Sequence, residues 1–518
     1  MLFRSGRLDI AGDAGDWLAA EMTGGTIRVD GNAGDNLDLP RTADGPLPYT
    51  IYDRAQIARS GVVDLNDFLQ REVLESDPAI GSPVSAAGAG TGGESFATGS
   101  ANLRFRGYEA SETVILVNGR RLPEVLTAFG NGTQPPDVNF IPLSLVQQVE
   151  VLPVSASSLY SGNAVGGVVN IVLRPELERN TTEVSSTYTN GLRGFDAPQS
   201  SLSLLHARSF LGGALRARLS GSFTRSFPPV ESELGYRRAR LAGPPATGEV
   251  LYGATPNVRS ADGGPLFGPG TAAFTSVAPG ADGGLGAFAG RAGVPSLGLF
   301  DSPGGRAASS FSTDNPYGRE QRRDTYFASA VYDVTPALQL GADLTVARTT
   351  SHRGFDVFNA DLLVPAAAPA NPFGRDVRVS MLEVPARLGE DHGETRLGFS
   401  SLVLDATLRS PGGWRLTLDG QYAHNTARYR GLAGADAARW QRLVDAGLYE
   451  PFRDTQVQGP SAEFYDRVLI HYGKPGSFVT LGDYTTLDTS ARLTHSALPL
   501  PTGPGGLNLG VDYRRTQL

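Results

Sequence analysis

Arg104, Arg106, Arg120 and Arg121 are the side chains best placed to do chemistry in this 518-residue chain. A guanidinium is a rigid fork of donors that matches a carboxylate, so arginines grouped in this way point to buried ion pairing with acidic partners. Arg106 is expected to anchor its segment by such a pair. The other reactive types are dispersed. His206, His352, His392, His424, His471 and His495 form no His-Glu-x-x-His pair, the spacing that sets two imidazoles on one helix face for zinc. Each is expected in a polar lumen or a loop. The chain has no cysteine, which excludes disulfides, thiolate zinc sites, iron–sulfur clusters and cysteine nucleophiles. No Gly-x-Ser-x-Gly elbow and no Walker loop occurs. YGKPG (472–476) lacks the upstream glycine and the Ser/Thr after Lys474 that a phosphate loop needs. The glycines of SGNAVGG (161–167) precede a strand, where a dinucleotide site would need a helix. No catalytic residue, cofactor or metal is assigned, and the chain is read as a non-enzyme.

Composition narrows the class. Glycine and proline number 65 and 35, a content that demands many turns and argues against a helical bundle. The net charge of -8 offers no basic excess for phosphates, so nucleic acid is not an expected partner. No apolar run approaches the roughly 18 residues of a transmembrane helix. A membrane β-barrel stays open, because its strands alternate and never form such a run. The first residues, MLFRSGRLDIAGDAGD, lack an apolar core segment, so no signal peptide is visible.

The elements that must position the arginines change in kind along the chain. Residues 1–40 contain a repeat: LDIAGDAGDWL (8–18) is echoed by IRVDGNAGDNL (27–37), with Leu8 and Ile10 mapping onto Ile27 and Val29. One strand and one Gly/Asp turn per repeat is the arithmetic of a β-solenoid coil. These residues resemble the glycine-rich β-helix found in formylmethanofuran dehydrogenase and in the C-terminal region of glutamate synthase. Two coils are fewer than a solenoid core needs, so this piece is expected to be a remnant, cap or fusion. Residues 41–50 (RTADGPLPYT) read as a linker.

Residues 51–178 read as a compact α+β domain. Asp64 is a candidate N-cap for a short helix carrying Leu65, Phe68 and Leu69. The strand-like runs are LRFRG (103–107), VILVNGRRLP (114–123), QQVEVLP (147–153) and the Gly-bounded LYSGNAVGGVVNIVLRP (159–175). Asn118-Gly119 is a strong two-residue hairpin signal. In order and spacing, these pieces resemble the plug domain of TonB-dependent outer-membrane receptors. The motif positions fall on Arg104, Arg106, Gly107, Asn118, Gly119, Arg120, Tyr160, Gly162, Gly166, Gly167 and Asn170. The glycines are expected to serve backbone geometry. Ser161 between Tyr160 and Gly162, and Pro153 after Glu150-Val151-Leu152, depart from the family pattern.

Residues 179–518 carry alternating runs at 213–225, 325–334, 338–348, 396–409, 414–428 and 506–515. In LQLGADLTV, Leu338, Leu340, Ala342, Leu344 and Val346 share one face, while Gln339, Gly341, Asp343 and Thr345 share the other. A lipid-facing strand lining a water-filled lumen needs that pattern. A soluble antiparallel sandwich would show it too. The resemblance decides for an antiparallel transmembrane β-barrel, and the Gly/Pro-rich stretch near 240–320 then becomes a structureless extracellular loop. The 340 residues after the plug are too few for the family's 22 strands, so the barrel is expected to be incomplete and the chain a fragment.

The resemblance also implies a function: active uptake across the outer membrane of a scarce nutrient, in the ferric siderophore, cobalamin or oligosaccharide class. Energy would come from the TonB–ExbB–ExbD complex through an N-terminal TonB box, a segment that would fall at 41–50, where no box is identified. The expected partners are therefore that complex, a small-molecule ligand and outer-membrane lipid. The rival expectations are a scaffold component of a formylmethanofuran dehydrogenase-type complex, from residues 1–40, and a secreted β-rich binding protein.

Overall fold

The computed structural model describes residues 7–10, 26–29, 50–73, 112–123, 125–126, 133–134, 137–153, 164–174, 180–190, 196–228, 253, 255–296, 319–353, 358–383, 393–455, 457–471, 477–500 and 503–517. Strands β1 (Arg7–Ile10) and β2 (Thr26–Val29) pair in parallel, Leu8 beside Ile27 and Ile10 beside Val29. That register equals the sequence repeat.

The first module is a five-stranded sheet of β3 (Thr50–Asp53), β8 (Val146–Leu152), β9 (Gly167–Leu173), β4 (Thr113–Val117) and β5 (Arg120–Arg121), in that spatial order. A small hairpin, β6 (Val125–Leu126) with β7 (Thr133–Gln134), follows it. Helix α1 (Arg54–Ser60) opens on a capping box between Asp53 and Gln56, and Gly61 at φ 67° closes it, a backbone angle that a side chain would resist. Helix α2 (Leu65–Glu72) is capped by Asp64, whose side chain accepts from the Asp67 N–H. Leu65, Phe68 and Leu69 turn inward and meet Val149, Val151, Val169 and Ile171 from the sheet.

A second sheet of nine antiparallel strands follows: β10 (Thr181–Thr189), β11 (Gln199–Phe210), β12 (Leu215–Ser226), β15 (Arg319–Thr335), β16 (Leu338–Arg353), β19 (Glu394–Arg409), β20 (Trp414–Arg430), β23 (Val479–Leu500) and β24 (Gly503–Gln517). They pair in chain order as a meander. The strands at 181–189, 199–210 and 479–500 were outside the sequence expectation. In β10, TTEVSSTYT has only Val184 and Tyr188 as apolar residues on one face, too few for the alternation to announce it.

The burial pattern is inverted relative to a soluble sheet. Leu340 and Leu344 are exposed, as are Leu402, Leu404, Leu408, Leu418, Tyr422, Tyr326, Leu219 and Phe223. The opposite face buries Arg218, Ser220, Arg323, Thr325, Thr349, Ser401, Gln421 and Asn425. Polar side chains inside and leucines outside are what a strand between lumen and hydrocarbon requires. No described helix is long and apolar enough to cross a membrane.

Short turns join the strands at one end, as at 210–215, 335–338 and 409–414, and long connections join them at the other. Three of those long connections build one folded unit. Strands β13 (Asn257–Ser260), β14 (Phe274–Ser276), β17 (Phe358–Val364) and β18 (Val377–Glu383) form a sheet in the order β14-β13-β18-β17. Helices α3 (Ala437–Asp445) and α4 (Ala462–Val468), with the pair β21 (Leu432–Ala435) and β22 (Leu469–His471), complete it. The expected structureless loop is thus corrected over residues 255–296. Although rich in Gly and Pro, that stretch carries Val258, Leu266, Val277 and Phe288, which are buried with Val379, Trp440 and Phe452 from the other two connections.

Candidate functional site

The motif residues of the first module converge on one buried polar network. Asn118 and Gly119, at φ 48° and 76°, make the two-residue turn between β4 and β5; both angles are positive, which the Asn-Gly pair tolerates best. The Asn118 N–H donates to the Ile171 carbonyl at 3.0 Å, and Asn118 Oδ1 accepts from the Leu173 N–H at 2.8 Å. The Gly119 N–H donates to Asn170 Oδ1 at 3.0 Å. Asn170 Nδ2 donates in turn to Glu150 Oε2 at 2.9 Å, whose other oxygen accepts from Gln148 Nε2 at 2.5 Å. Asn170 and Glu150 are fully buried. Gly166 donates its N–H to the Glu112 carbonyl, and Gly167, at φ 144°, begins β9. Sequence positions 118, 119, 150 and 170 thus act as one unit that fixes the β4–β5 turn.

That turn points at the nine-stranded sheet. Arg120 sits 3.9 Å from Asp405 and 3.8 Å from Asp419, carboxylates directly opposite one another on β19 and β20. Like charges so placed repel, and the guanidinium between them offsets the repulsion. Arg120 thus makes the kind of ion pair that was expected of Arg106. Arg104, Arg106 and Gly107 lie outside the described residues, as do Tyr160 and Gly162. Arg121 lines the same contact.

A second contact was not foreseen as such. Asp64, read only as a helix cap, also accepts from Asn139 Nδ2 at 3.3 Å and from Arg323 Nη1 of β15 at 3.4 Å. Arg323 is held by Thr349 of the next strand, its Nε donating to Oγ1 at 3.3 Å. Asp67, one turn along α2, has its carboxyl pushed up to about 6 by burial and then by the charge of Asp64, with Arg71 and Arg323 pulling the other way. A third contact is apolar: Phe140 stacks on Phe399 of β19 with centroids 4.8 Å apart and planes at 6°. Arg174, just after β9, makes a bidentate pair with Glu183 of β10, both bonds 2.7 Å. Between these contacts lies a cavity of about 50 Å³, bounded by Arg120, Leu122 and Ile141 on one side and Asp343, Thr345, Ser401 and Gln421 on the other. It has room and polar partners for a few waters.

The signal in the sequence for Asp405, Asp419 and Arg323 was their place in the alternation, on the inward parity of strands whose leucines face out. Three of the histidines fall differently from expectation, whereas His471 sits in the unit built by the long connections and His392 lies outside the described residues. His206, His352 and His424 share the outward parity of β11, β16 and β20, facing neither lumen nor loop. His424 pairs with Asp483 of β23 at 2.8 Å. Among the described residues no group of three His, Cys, Asp or Glu side chains suits a metal ion.

Residues 41–168 match the family model of the TonB-dependent receptor plug domain. The chain carries that plug. Around it, the nine-stranded sheet has the fold of a partial receptor barrel. A mutant of the ferric enterobactin receptor of Pseudomonas aeruginosa, solved with enterobactin, superposes with a TM-score of 0.51 at 15% identity, over 92% of this chain and 50% of that one. The same receptor in complex with BCV-L6 gives 0.50 at 16%, over 92% and 50%. The chain therefore spans about half the length of the receptor structures it matches. Plug and barrel wall meet at Arg120 with Asp405 and Asp419, at Asp64 with Arg323, and at Phe140 with Phe399.

Proposed function

We propose that this chain is part of an outer-membrane receptor that takes up a scarce nutrient with energy from TonB–ExbB–ExbD. The supporting observation is the pairing of two surfaces: an inner wall of polar residues that grips a plug through ion pairs, and an outer face of exposed leucines. A secreted binding protein would gain nothing from that outer face. The domain reading that fits is a β-solenoid-like remnant at 1–40, a linker at 41–50, the plug at 51–178 and a partial barrel at 179–518, with the motif residues above serving plug structure rather than ligand contact. The named structural relative binds ferric enterobactin, so a ferric siderophore is the first ligand class to assay, ahead of cobalamin and oligosaccharides.

The test is uptake of radiolabelled ferric siderophore by cells expressing the chain within its natural gene, with and without TonB. Accumulation is expected only with TonB, and the protein is expected in the outer-membrane fraction. Uptake that persists without TonB, or recovery in the soluble fraction, overturns the reading.

A further inference from the structure

The cavity at the seam between plug and wall is bordered by acceptors. Over residues 339–351, 395–407 and 417–429, the inward positions of β16, β19 and β20 carry Asp343, Asp405 and Asp419 and no lysine or arginine. Asp343 lies opposite Val403, so it sits diagonally across from Asp405, which faces Asp419 directly. Carboxylates so placed repel one another. The plug brings Arg120 to this group, at 3.9 Å from Asp405 and 3.8 Å from Asp419. Those distances exceed a hydrogen bond, and Arg120 Nε is buried without an acceptor.

Gln421, at the next inward position of β20 after Asp419, carries the second observation. It is only 8% exposed. Its Nε2 donates to Ser401 Oγ at 3.1 Å, while its Oε1 is buried and has no donor. A buried acceptor left in that condition favours any donor that can reach it. Gln421 and Asp343 both line the cavity of about 50 Å³. One water needs about 10–15 Å³ of such space, so the cavity takes roughly four small heavy atoms. That is the size of a guanidinium or ammonium head and far less than a whole chelate. Among the described residues no three His, Cys, Asp or Glu side chains suit a metal ion, so the cation that fits is organic.

We propose that this pocket is a subsite for the guanidinium or ammonium group of a small cargo molecule passing along the wall. The head lies between Asp343 and Gln421 Oε1 and competes with Arg120 for Asp405 and Asp419. Its arrival therefore loosens the β4–β5 turn of the plug from the wall. An anionic head meets only repulsion there. The inference rests on the transport reading of the preceding subsection and narrows its cargo to molecules with a basic group.

The experiment uses the full chain purified in detergent, with radiolabelled methylguanidinium as the probe and methylurea as its neutral match in shape. Equilibrium dialysis is expected to show binding of the cation and not of methylurea. Hydrogen exchange of the β4–β5 turn is expected to quicken with methylguanidinium and to stay unchanged with equimolar sodium. The D343N/Q421L variant is expected to bind on the order of tenfold more weakly, about threefold for each altered acceptor. R120Q removes the competitor and keeps both acceptors. It is expected to bind about fivefold more tightly, the worth of a partly exposed ion pair, and misfolding cannot produce that gain. The proposal is overturned if methylurea binds equally well, if D343N/Q421L binds as wild type, or if R120Q binds no more tightly. Cells then test the cargo with ferrioxamine B, an iron chelate ending in an ammonium, against its N-acetyl derivative. The wild type is expected to accumulate the ammonium form faster and D343N/Q421L to treat the two alike. Equal uptake of both by the wild type overturns the cargo assignment. Failure of these arms with TonB-dependent uptake intact strikes the subsite and spares the transport reading; uptake that ignores TonB strikes the transport reading, whatever methylguanidinium does.

Discussion

Asp64 and Arg323 lie 3.4 Å apart across the seam between plug and wall, although 259 positions separate them in the chain. The carboxylate caps α2 and the guanidinium belongs to β15, so one bond ties the first helix pair of the plug to the third wall strand in chain order beyond β10. Arg323 is only 6% exposed, which keeps solvent from screening the pair fully. A double-mutant cycle with Asp64→Asn and Arg323→Gln is expected to give a coupling of about 1 kcal/mol. Proteolytic nicking of the plug should rise in both single variants and no further in the double. Strictly additive effects would mean that the two groups do not sense each other.

The network of Asn118, Asn170 and Glu150 leads to a larger effect. Asn170→Ala removes the acceptor for the Gly119 N–H and the donor for Glu150, both inside a dry sheet. A buried polar group left unpaired costs about 1–3 kcal/mol, more for a charge, so plug stability is expected to fall by roughly 3 kcal/mol. Hydrogen exchange of the β4 and β9 amides would report it. Protection equal to wild type would show that water replaces the amide without loss.

Asp67 adds a pH dependence. Its carboxyl titrates near 6 in the fold against an ordinary value of 3.8. A raised carboxyl favours the fold while protonated, so its contribution is complete below 3.8 and is lost as the pH climbs through about 6. Asp67→Asn is expected to remove that slope and to protect α2 amides at pH 7 relative to wild type, by an amount on the order of 2 kcal/mol. An unchanged difference between pH 4 and pH 7 in the variant would place the titration elsewhere.

These residues also mark what a reader of the sequence can and cannot see. Asn118-Gly119 was legible because positive φ at two successive residues leaves few choices of type. Asp64 was legible as a cap, since that role needs only the next three residues. Its second role was hidden, because Arg323 is identified only by the curvature that brings β15 against α2. Asp405 and Asp419 announce inward parity and nothing about their shared partner. In β10 only Val184 and Tyr188 break a polar run, too little to show a strand, whereas β23 does alternate, with Val479, Leu481, Leu487 and Leu493 on one parity and Thr486, Asp488, Ser490 and Arg492 on the other. The unit formed by the long connections was invisible for a related reason: Val258, Val379 and Trp440 sit in three separate segments, each of which reads alone as a loop.

That unit supplies the last prediction. Trp440 is buried against Tyr449 and Phe464, with ring centroids 5.7 and 5.6 Å away, and shares its core with strands from two other connections. Truncating a buried aromatic of this size costs about 3–5 kcal/mol. The plug and wall make their own contacts, so Trp440→Ala is expected to loosen β13, β17, β18 and α3 together while leaving the protection of β19 and β20 unchanged. Hydrogen exchange resolved by segment tests both halves of the claim. If only α3 loosens, the three connections fold separately and the shared core is incidental. If the wall strands loosen as well, the unit is a cooperative part of the barrel and not a cap resting on it.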